Sequence, residues 1–140
     1  MGNDRPNAIR KQLSHNDTGE TGGHQGGICV PREPPVLNFF PSLDPKQKNP
    51  RHRIVCMDQF GNRWTFTFIY YNNRLFGGTR NEYRLTCMTK FIRTNNLRAG
   101  DTLILSRDTE NRFSISFERL GENAAADRLT IGTTWKVIGL

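Results

Sequence analysis

The sequence shows its clearest hydrophobic pattern in RWTFTFIY, at residues 63–70. Trp64, Phe66, Phe68 and Tyr70 share one parity, while an arginine and two threonines share the other. Strict alternation of this kind is typical of a β-strand that buries one face. The pattern therefore predicts a strand whose aromatic side chains form a core, rather than the base-stacking platform of a protein that binds single-stranded nucleic acid.

Further short runs of apolar and β-branched residues surround this strand. The run RIVCM (53–57) leads into it through a hairpin turn at Gly61-Asn62. The remaining runs are AIRKQL (8–13), GICVP (27–31), RLT (84–86), TLILSR (102–107), RFSISFE (112–118) and TTWKVIGL (133–140). Together these runs predict about eight short strands.

Two segments depart from the strand pattern. In PPVLNFFPSL (34–43) apolar residues recur at helical spacing after a proline pair, and a further proline limits the helix to a turn or two. In TCMTKFIRTNNLRAGD (86–101), Met88, Phe91 and Ile92 line one helical face. Many strands with two short helices between them predict an all-β, barrel-like domain.

The length and charge of the chain agree with one basic domain. At 140 residues the chain can form a single hydrophobic core, and we predict one domain over residues 1–140 with a flexible start at 1–8. Twenty lysines and arginines against 13 acidic residues give a net charge of +7, which favours a polyanionic partner. No apolar stretch approaches the ~20 residues of a membrane span, and the polar N-terminus lacks a signal peptide. We therefore expect a cytoplasmic protein.

The three cysteines, Cys29, Cys56 and Cys87, are widely spaced and lie in apolar runs. An odd number at this spacing fits neither a disulfide framework nor a zinc knuckle. We expect all three to be buried thiols in a reducing compartment.

The stretch HNDTGETGGHQ (15–25) lies between two predicted strands and is rich in polar residues and glycine. His15, Asp17 and His24 supply two imidazoles and a carboxylate, which is a ligand set that zinc or iron accepts. A loop with three glycines is a poor rigid template for a metal, and a solvated loop explains the composition equally well. A phosphate-binding loop is a weak interpretation, because the glycines precede a strand and no lysine follows them.

The remaining acidic residues fall mostly at predicted turns, where they cap backbone N–H groups. These residues are Asp58, Asp101, Asp108, Glu110 and Glu122. The sequence contains no GxSxG or HExxH motif, and no histidine neighbours a cysteine. We therefore expect no active site in this chain and no cofactor.

The run YYNNRLFGGTRNEYR (70–84) concentrates side chains that read the edges of base pairs. It contains Asn72, Asn73, Arg74, Arg80, Asn81, Glu82 and Arg84. Arginine matches guanine, asparagine matches adenine, and glutamate accepts from the cytosine amino group in the major groove. A solvated, charged hairpin tip is the alternative interpretation of the same composition.

Two of these stretches resemble one family. LSHNDTGETGGHQGG (13–27) and YYNNRLFGGTRNEYRLT (70–86) are similar, in order and separation, to the N-terminal effector domain of EcoRII-type restriction endonucleases. The segment FxxxNLRAGDxLxxSR (91–107) is also similar to the end of the plant transcription-factor B-three domain. The resemblances cover most of residues 9–119.

The resemblance implies a DNA-binding pseudobarrel of seven or eight strands that grips duplex DNA in the major groove between two arms. One arm is the 13–27 stretch and the other is the 70–84 stretch. In EcoRII-type enzymes this domain binds a CC(A/T)GG duplex as an effector copy, and a separate, magnesium-dependent domain cuts the DNA. The resemblance thus implies a non-catalytic, monomeric recognition domain of a type II (IIE) restriction endonuclease from a prokaryotic cell, without its catalytic domain.

Carried over position by position, His24 matches the histidine of the first arm, and four residues match charged positions of the second. Those four are Arg74, Arg80, Glu82 and Arg84. Gly78 and Tyr83 depart from the family pattern, which has lysines there. We interpret those lysines as phosphate contacts, so the departures bear on affinity more than on sequence choice.

These considerations assign DNA contacts to two groups of residues. The expected base-reading residues are Asp17, Thr18, His24, Gln25, Arg74, Arg80, Asn81, Glu82 and Arg84. The expected contacts to the DNA backbone are Arg5, Arg10, Lys11, Arg51, Arg53, Asn73 and Lys90. Two alternatives stay open: a plant-type B-three domain with another target, and a metal-dependent nuclease that uses His15, Asp17 and His24.

Overall fold

The computed structural model describes residues 5–19, 27–121 and 135–138 of the chain. These residues contain the strands β1 (Ala8–Gln12), β2 (Ile28–Val30), β3 (Arg51–Asp58), β4 (Arg63–Tyr71), β5 (Glu82–Thr86), β6 (Thr102–Arg107), β7 (Phe113–Glu118) and β8 (Trp135–Val137). They also contain the helices α1 (His15–Thr18) and α2 (Thr89–Thr94), and 3-10 helices at Val36–Phe39 and Asn73–Phe76. The predicted all-β architecture is confirmed, and each predicted strand is present. No helix in the described part of the chain is long and apolar enough to cross a membrane.

Within the described residues the strands form one sheet in the order β2-β5-β4-β3-β7-β6-β1-β8. Neighbouring strands are antiparallel, except for the parallel pair β3 and β7. The sheet curls so that its two edge strands meet. Where they meet, the indole N–H of Trp135 in β8 donates to the carbonyl of Cys29 in β2 at 2.8 Å. The result is a nearly closed barrel.

The aromatic alternation of β4 builds the barrel core as predicted. Phe66 and Phe68 are each 1% exposed, and burying each ring contributes roughly 1.5–3 kcal/mol. The ring of Phe91 in α2 packs edge-on against Trp64 and Phe66, with centroid distances of 5.1 and 5.9 Å. Helix α2 thereby closes one end of the barrel.

The 3-10 helix at Val36–Phe39 contributes to the core from the other side, where the sequence predicted a short helix. The ring of Phe39 packs edge-on against Phe113, with a centroid distance of 5.6 Å. The next ring, Phe40, stacks on Phe68 with a centroid distance of 4.4 Å. The apolar residues at helical spacing therefore belong to one 3-10 turn that packs on the barrel core.

The strand directions place the two predicted arms at opposite ends of the barrel. Strand β1 ends and β2 begins at the end that α2 closes, so the connection at 13–27, termed the first arm, leaves from there. Strand β4 ends and β5 begins at the other end, where the connection at 72–81, termed the second arm, leaves. The outward surface of β2, β5, β4 and β3, termed the outer face, lies between the arms.

The prediction of three buried cysteines is wrong for two of them. Cys56 is buried, and its burial raises the pKa of the thiol to about 12. Cys29 and Cys87 are exposed. Cys29 has the outward parity of its strand, and Cys87 follows β5 with a φ of +67°. An apolar neighbourhood in sequence did not reveal which side of the strand each thiol occupies.

Three of the acidic residues predicted to cap turns, Asp58, Asp101 and Asp108, do so, whereas the Glu110 carboxylate instead lies 3.4 Å from Nη2 of Arg112. The Asp58 carboxylate accepts from two backbone N–H groups of the turn after β3 and from the Trp64 indole, each at 2.8 Å. Asp101 and Asp108 accept backbone N–H groups within or beside their own turns. Glu122 lies outside the described residues. These carboxylates are therefore structural parts of the loops.

Candidate nucleic-acid interface

The outer face collects several of the predicted DNA contacts in adjacent rows. Strand pairing sets Cys29 opposite Arg84, Arg84 opposite Ile69, and Ile69 opposite Arg51. The same register sets Glu82 opposite Tyr71, one row nearer the second arm. Residues two apart in a strand share one face, so Arg53 joins Arg51 on this surface.

An ion-pair network occupies the part of the outer face next to the second arm. Glu82 accepts from Nη2 of Arg80 at 2.8 Å and from Nε of Arg84 at 3.2 Å. The guanidinium carbon of Arg80 lies 3.7 Å from the centre of the Tyr71 ring, a cation–π contact that restricts the side chain. The Arg80 hydrogen bond, opposed by partial burial and aided by the charges of both arginines, lowers the pKa of Glu82. Both guanidinium groups are therefore held in place before any ligand arrives.

Arg84 also connects the outer face with the end of the first arm. Its Nη1 donates to the carbonyl of Gly27 at 3.0 Å. Gly27 has a φ of +93°, and a Cβ there would lie 2.5 Å from the carbonyl oxygen of Leu85. Glycine is required because any side chain would push the arm away from β5.

Within the second arm, the Asn81 amide joins three other side chains. Its nitrogen faces the Tyr70 hydroxyl at 2.6 Å, and its oxygen faces Arg32 at 2.5 Å and Arg74 at 3.0 Å. We assign this amide orientation because the opposite one would point the NH₂ group at two guanidinium groups. Asn81 thus positions Arg74, and it also recruits Arg32, which the sequence did not single out.

Asn72 anchors the root of the second arm and does not reach the surface. It is fully buried at 0% exposed. Its oxygen accepts from the Asn49 N–H at 2.7 Å, and its nitrogen donates to the carbonyls of Gln47 (2.7 Å) and Pro45 (3.2 Å). Asn72 was predicted as part of the base-reading run, but its buried position gives it a structural role instead.

The next residue, Asn73, is half-buried. Its Oδ1 atom is buried and has no hydrogen-bond partner among the described residues. A Cβ at Gly78 would lie 2.9 Å from the Cβ of Asn73, so a side chain at Gly78 requires the arm to shift. Tyr83 is an inward residue that stacks between Phe68 and Tyr70, with centroid distances of 5.6 and 4.2 Å. At Gly78 and Tyr83, where the family pattern has lysines, the residue present in this chain fits the packing around it.

The first arm begins with a buried ion pair that the sequence analysis did not foresee. Lys11 and Asp17 are each 6% exposed, and Nζ lies 2.5 Å from Oδ2. The same oxygen accepts from the Ser14 N–H at 3.0 Å, and the Ser14 hydroxyl accepts from the Asp17 N–H at 3.1 Å. This capping box starts α1. Each side chain is buried against the other, so the structure does not present Lys11 to phosphate or Asp17 to bases as the sequence predicted.

The other predicted residues of the first arm are only partly described. Thr18 is half-buried, and its hydroxyl donates to the carbonyl of His15 at 3.1 Å. His24 and Gln25 lie outside the described residues. Among the residues that the structure describes, no group of three histidine, cysteine, aspartate or glutamate side chains lies close enough to hold a metal. The hypothesis of a site from His15, Asp17 and His24 gains no support, since Asp17 is committed to Lys11.

The remaining predicted backbone contacts do not share one surface. Lys90 is exposed on α2, at the end of the barrel from which the first arm leaves. Arg10 is exposed on β1, which lies four strands from β4 in the sheet and thus on the other side of the barrel. Arg5 donates to the carbonyl of Asn38 at 3.1 Å and lines a cavity of about 530 Å³. Sequence spacing alone did not separate these residues from Arg51 and Arg53.

Comparisons with known proteins first define the class of fold. The chain is similar to the solved structure of an Arabidopsis FUS3–DNA complex, with a TM-score of 0.61 and 20% identity over 80% of this chain and 96% of that one. It is also similar to the B3 domain of the UbaLAI restriction endonuclease with cognate DNA, with a TM-score of 0.55 and 22% identity over 93% and 84%. The fold is a B3-type (B-three) pseudobarrel.

The family follows from the sequence. The family model for the N-terminal domain of restriction endonuclease EcoRII matches residues 3–115, and the chain belongs to this family. The type II restriction enzyme EcoRII of Escherichia coli is 42% identical over 84 residues, 54% of this chain and 19% of the enzyme. Auxin response factor 5 of Arabidopsis thaliana is 29% identical over 116 residues, 83% of this chain and 12% of that protein. The chain thus spans less than one fifth of the length of these relatives.

Proposed function

We propose that this domain binds double-stranded DNA sequence-specifically, in the major groove, between the first and second arms. The observation that carries the proposal is a basic outer face that runs between two arms leaving opposite ends of one barrel. Its guanidinium groups include Arg51, Arg53, Arg80 and Arg84. A basic surface with a polar connection leaving the barrel at each of its ends fits a rod-shaped polyanion better than a small ligand.

The network around Glu82 supports base reading near the second arm. Arginine forks match the O6 and N7 acceptors of guanine, and a carboxylate accepts from the cytosine amino group. Because Glu82 and Tyr71 already hold Arg80, little side-chain entropy is lost when it binds a base. Arg84, Arg74 and Asn81 complete this group of proposed readers, with Thr18, His24 and Gln25 reading from the first arm.

The proposed contacts to the DNA backbone are exposed basic residues. They are Arg51 and Arg53 on the outer face of β3 and Lys90 on α2, at the barrel end from which the first arm leaves, and such contacts set register without reading sequence. Arg5, Arg10 and Asn73 are weaker candidates, because they lie away from this face or are half-buried. Lys11 and Asp17 serve instead to fix the start of the first arm through their buried ion pair.

We further propose a CC(A/T)GG-type target and the role of a recognition domain in a type IIE restriction endonuclease. The 42% identity to EcoRII and the match of residues 3–115 to its N-terminal domain support this assignment. In this proposal the domain is monomeric and needs no cofactor. The cut is made by a separate, magnesium-dependent catalytic domain of the parent enzyme, in the cytoplasm of a prokaryote.

The test is a binding titration without magnesium, with a CC(A/T)GG duplex and a scrambled duplex of equal length and composition. We expect preference for the first duplex, with a loss of roughly 1–3 kcal/mol for each wrong base pair. Equal affinity for both duplexes would refute the proposed target. Absence of binding to either would refute DNA binding itself.

A different target is the second candidate, favoured by the similarity of 83% of the chain to auxin response factor 5. In that case the same two arms read an unrelated sequence. Selection from a randomised duplex library separates the candidates, because it returns the preferred site without assuming it. Enrichment of CC(A/T)GG supports the restriction-enzyme assignment, and enrichment of another sequence supports the alternative.

A further inference from the structure

The loop at residues 44–50, termed the lysine loop, lies beside the root of the second arm. It connects to the first residue of β3, which begins at the barrel end where β4 stops. Lys46 and Lys48 in this loop are both exposed. The outer face and the sequence-based candidates account for neither residue.

The side chain of Asn72, at the root of the second arm, holds the loop in place by hydrogen bonds to its backbone. Fully buried Asn72 satisfies the Asn49 N–H and the carbonyls of Pro45 and Gln47 at 2.7 to 3.2 Å. Buried amides need such partners, because an unpaired one destabilises the fold. Any displacement of the second arm therefore carries the lysine loop with it.

Hydrogen bonds within the loop fix its shape as well. The carboxylate of Asp44 accepts from the Lys46 N–H at 3.0 Å, and the Asp44 carbonyl accepts from the Gln47 N–H at 3.2 Å. The carbonyl of Pro50 accepts from the Tyr70 N–H at 3.0 Å, which ties the loop to β4. The loop is thus an ordered platform that presents two ammonium groups, with its one acidic side chain committed to a turn.

We propose that the lysine loop is a third DNA-contacting element, which binds backbone phosphates beyond the second arm. This inference rests on the proposed function. Lysine supplies a compact point charge that suits phosphate, without the fork that reads a base edge. The loop leads into β3, whereas Arg80 and Glu82 adjoin β5 on the opposite side of β4. The contact therefore extends the footprint without adding sequence preference.

The experiment compares wild-type protein with the double variant Lys46→Gln/Lys48→Gln. The matched control is Arg98→Gln/Lys136→Gln, which removes two exposed charges with no proposed DNA contact, one just before β6 and one on β8. Each protein is titrated over a range of salt with a short duplex that ends at the CC(A/T)GG site. The titrations are repeated with a long duplex, which extends the short one by about one helical turn, ~10 base pairs, on each side. Scrambled versions of the short and long duplexes complete the set.

On the long duplex, we expect the slope of log K against log salt to be shallower in the Lys46/Lys48 variant by about 2, from roughly 0.9 for each of two phosphates. The change should be equal for the specific and scrambled sequences, small on the short duplex, and absent in the control variant. If the Lys46/Lys48 variant keeps the wild-type slope on the long duplex, the inference is overturned and the proposed function remains. A loss confined to the specific sequence also overturns it, and failure of wild type to bind any duplex overturns both.

Discussion

Replacing Asp17 by alanine decides whether the carboxylate at the base of the first arm supports the fold or reads DNA. The side chain is 6% exposed and lies 2.5 Å from the ammonium of Lys11, which is equally buried. It also accepts from the Ser14 N–H at 3.0 Å in the capping box of α1. The substitution removes both interactions and leaves an ammonium group without its partner in a poorly solvated position.

The structure sets the expected magnitude. Breaking a buried ion pair by removing one partner destabilises a protein by about 3–5 kcal/mol, and losing half of a capping box adds up to ~1 kcal/mol. Small domains unfold with about 5–15 kcal/mol in total. We therefore expect Asp17→Ala to lower the free energy of unfolding by about 3–6 kcal/mol, which is a large fraction of the whole.

Urea denaturation followed by tryptophan fluorescence measures this change, and a second substitution identifies its cause. In Lys11→Met/Asp17→Ala the stranded charge is gone while most of the side-chain volume remains, so much of the lost stability should return. The reasoning is refuted if Asp17→Ala loses under ~1 kcal/mol of stability but binds CC(A/T)GG more weakly than before. That result would restore Asp17 to the base-reading residues.

Three further predictions concern the second arm and the outer face. Asn72→Ala should lower the free energy of unfolding by about 2–4 kcal/mol in thermal or urea denaturation, because three hydrogen bonds are lost and buried groups stay unpaired; a neutral effect would contradict the anchoring role. The lowered pKa of Glu82 keeps its carboxylate charged below the ordinary value of 4.5, so the difference in binding between wild type and Glu82→Gln should be constant from pH 8 to 5 and shrink only below 4.5. Glu82→Gln should bind more weakly throughout that range, and an identical profile would exclude this carboxylate. Arg80→Ala should relax sequence preference, whereas Arg53→Ala should weaken all duplexes alike and reduce the salt slope by about 1; a uniform loss in both would abolish the proposed division of roles.

The candidate site could be predicted in part because its residues cluster in sequence. Glu82 and Arg84 share one parity of β5, and Arg80, two residues before Glu82, hydrogen-bonds to the Glu82 carboxylate. The roles of Lys11 and Asp17 could not be predicted in this way. A lysine in a strand and an aspartate six residues later in a polar loop look exposed, and only the turn of α1 brings them together in a buried pair.

The predicted backbone contacts show the same limit. Arg10 and Arg53 have the same charge and similar strand contexts, yet the sheet order places them on different sides of the barrel. The sequence does not distinguish the two lysines of the lysine loop, because they lie in a short polar segment with no motif. Its relation to the second arm depends on Asn72, a residue more than twenty positions away.

The sequence by itself determined the number and place of the strands, because alternation of apolar and polar residues is a local property that each segment carries alone. It also determined the family and the charge of the surface. The tertiary structure decided which polar residues are available to a partner, since burial and pairing depend on contacts between segments distant in the chain. Lys11, Asp17, Asn72, Cys29 and Cys87 are cases in which the tertiary structure went against the local pattern.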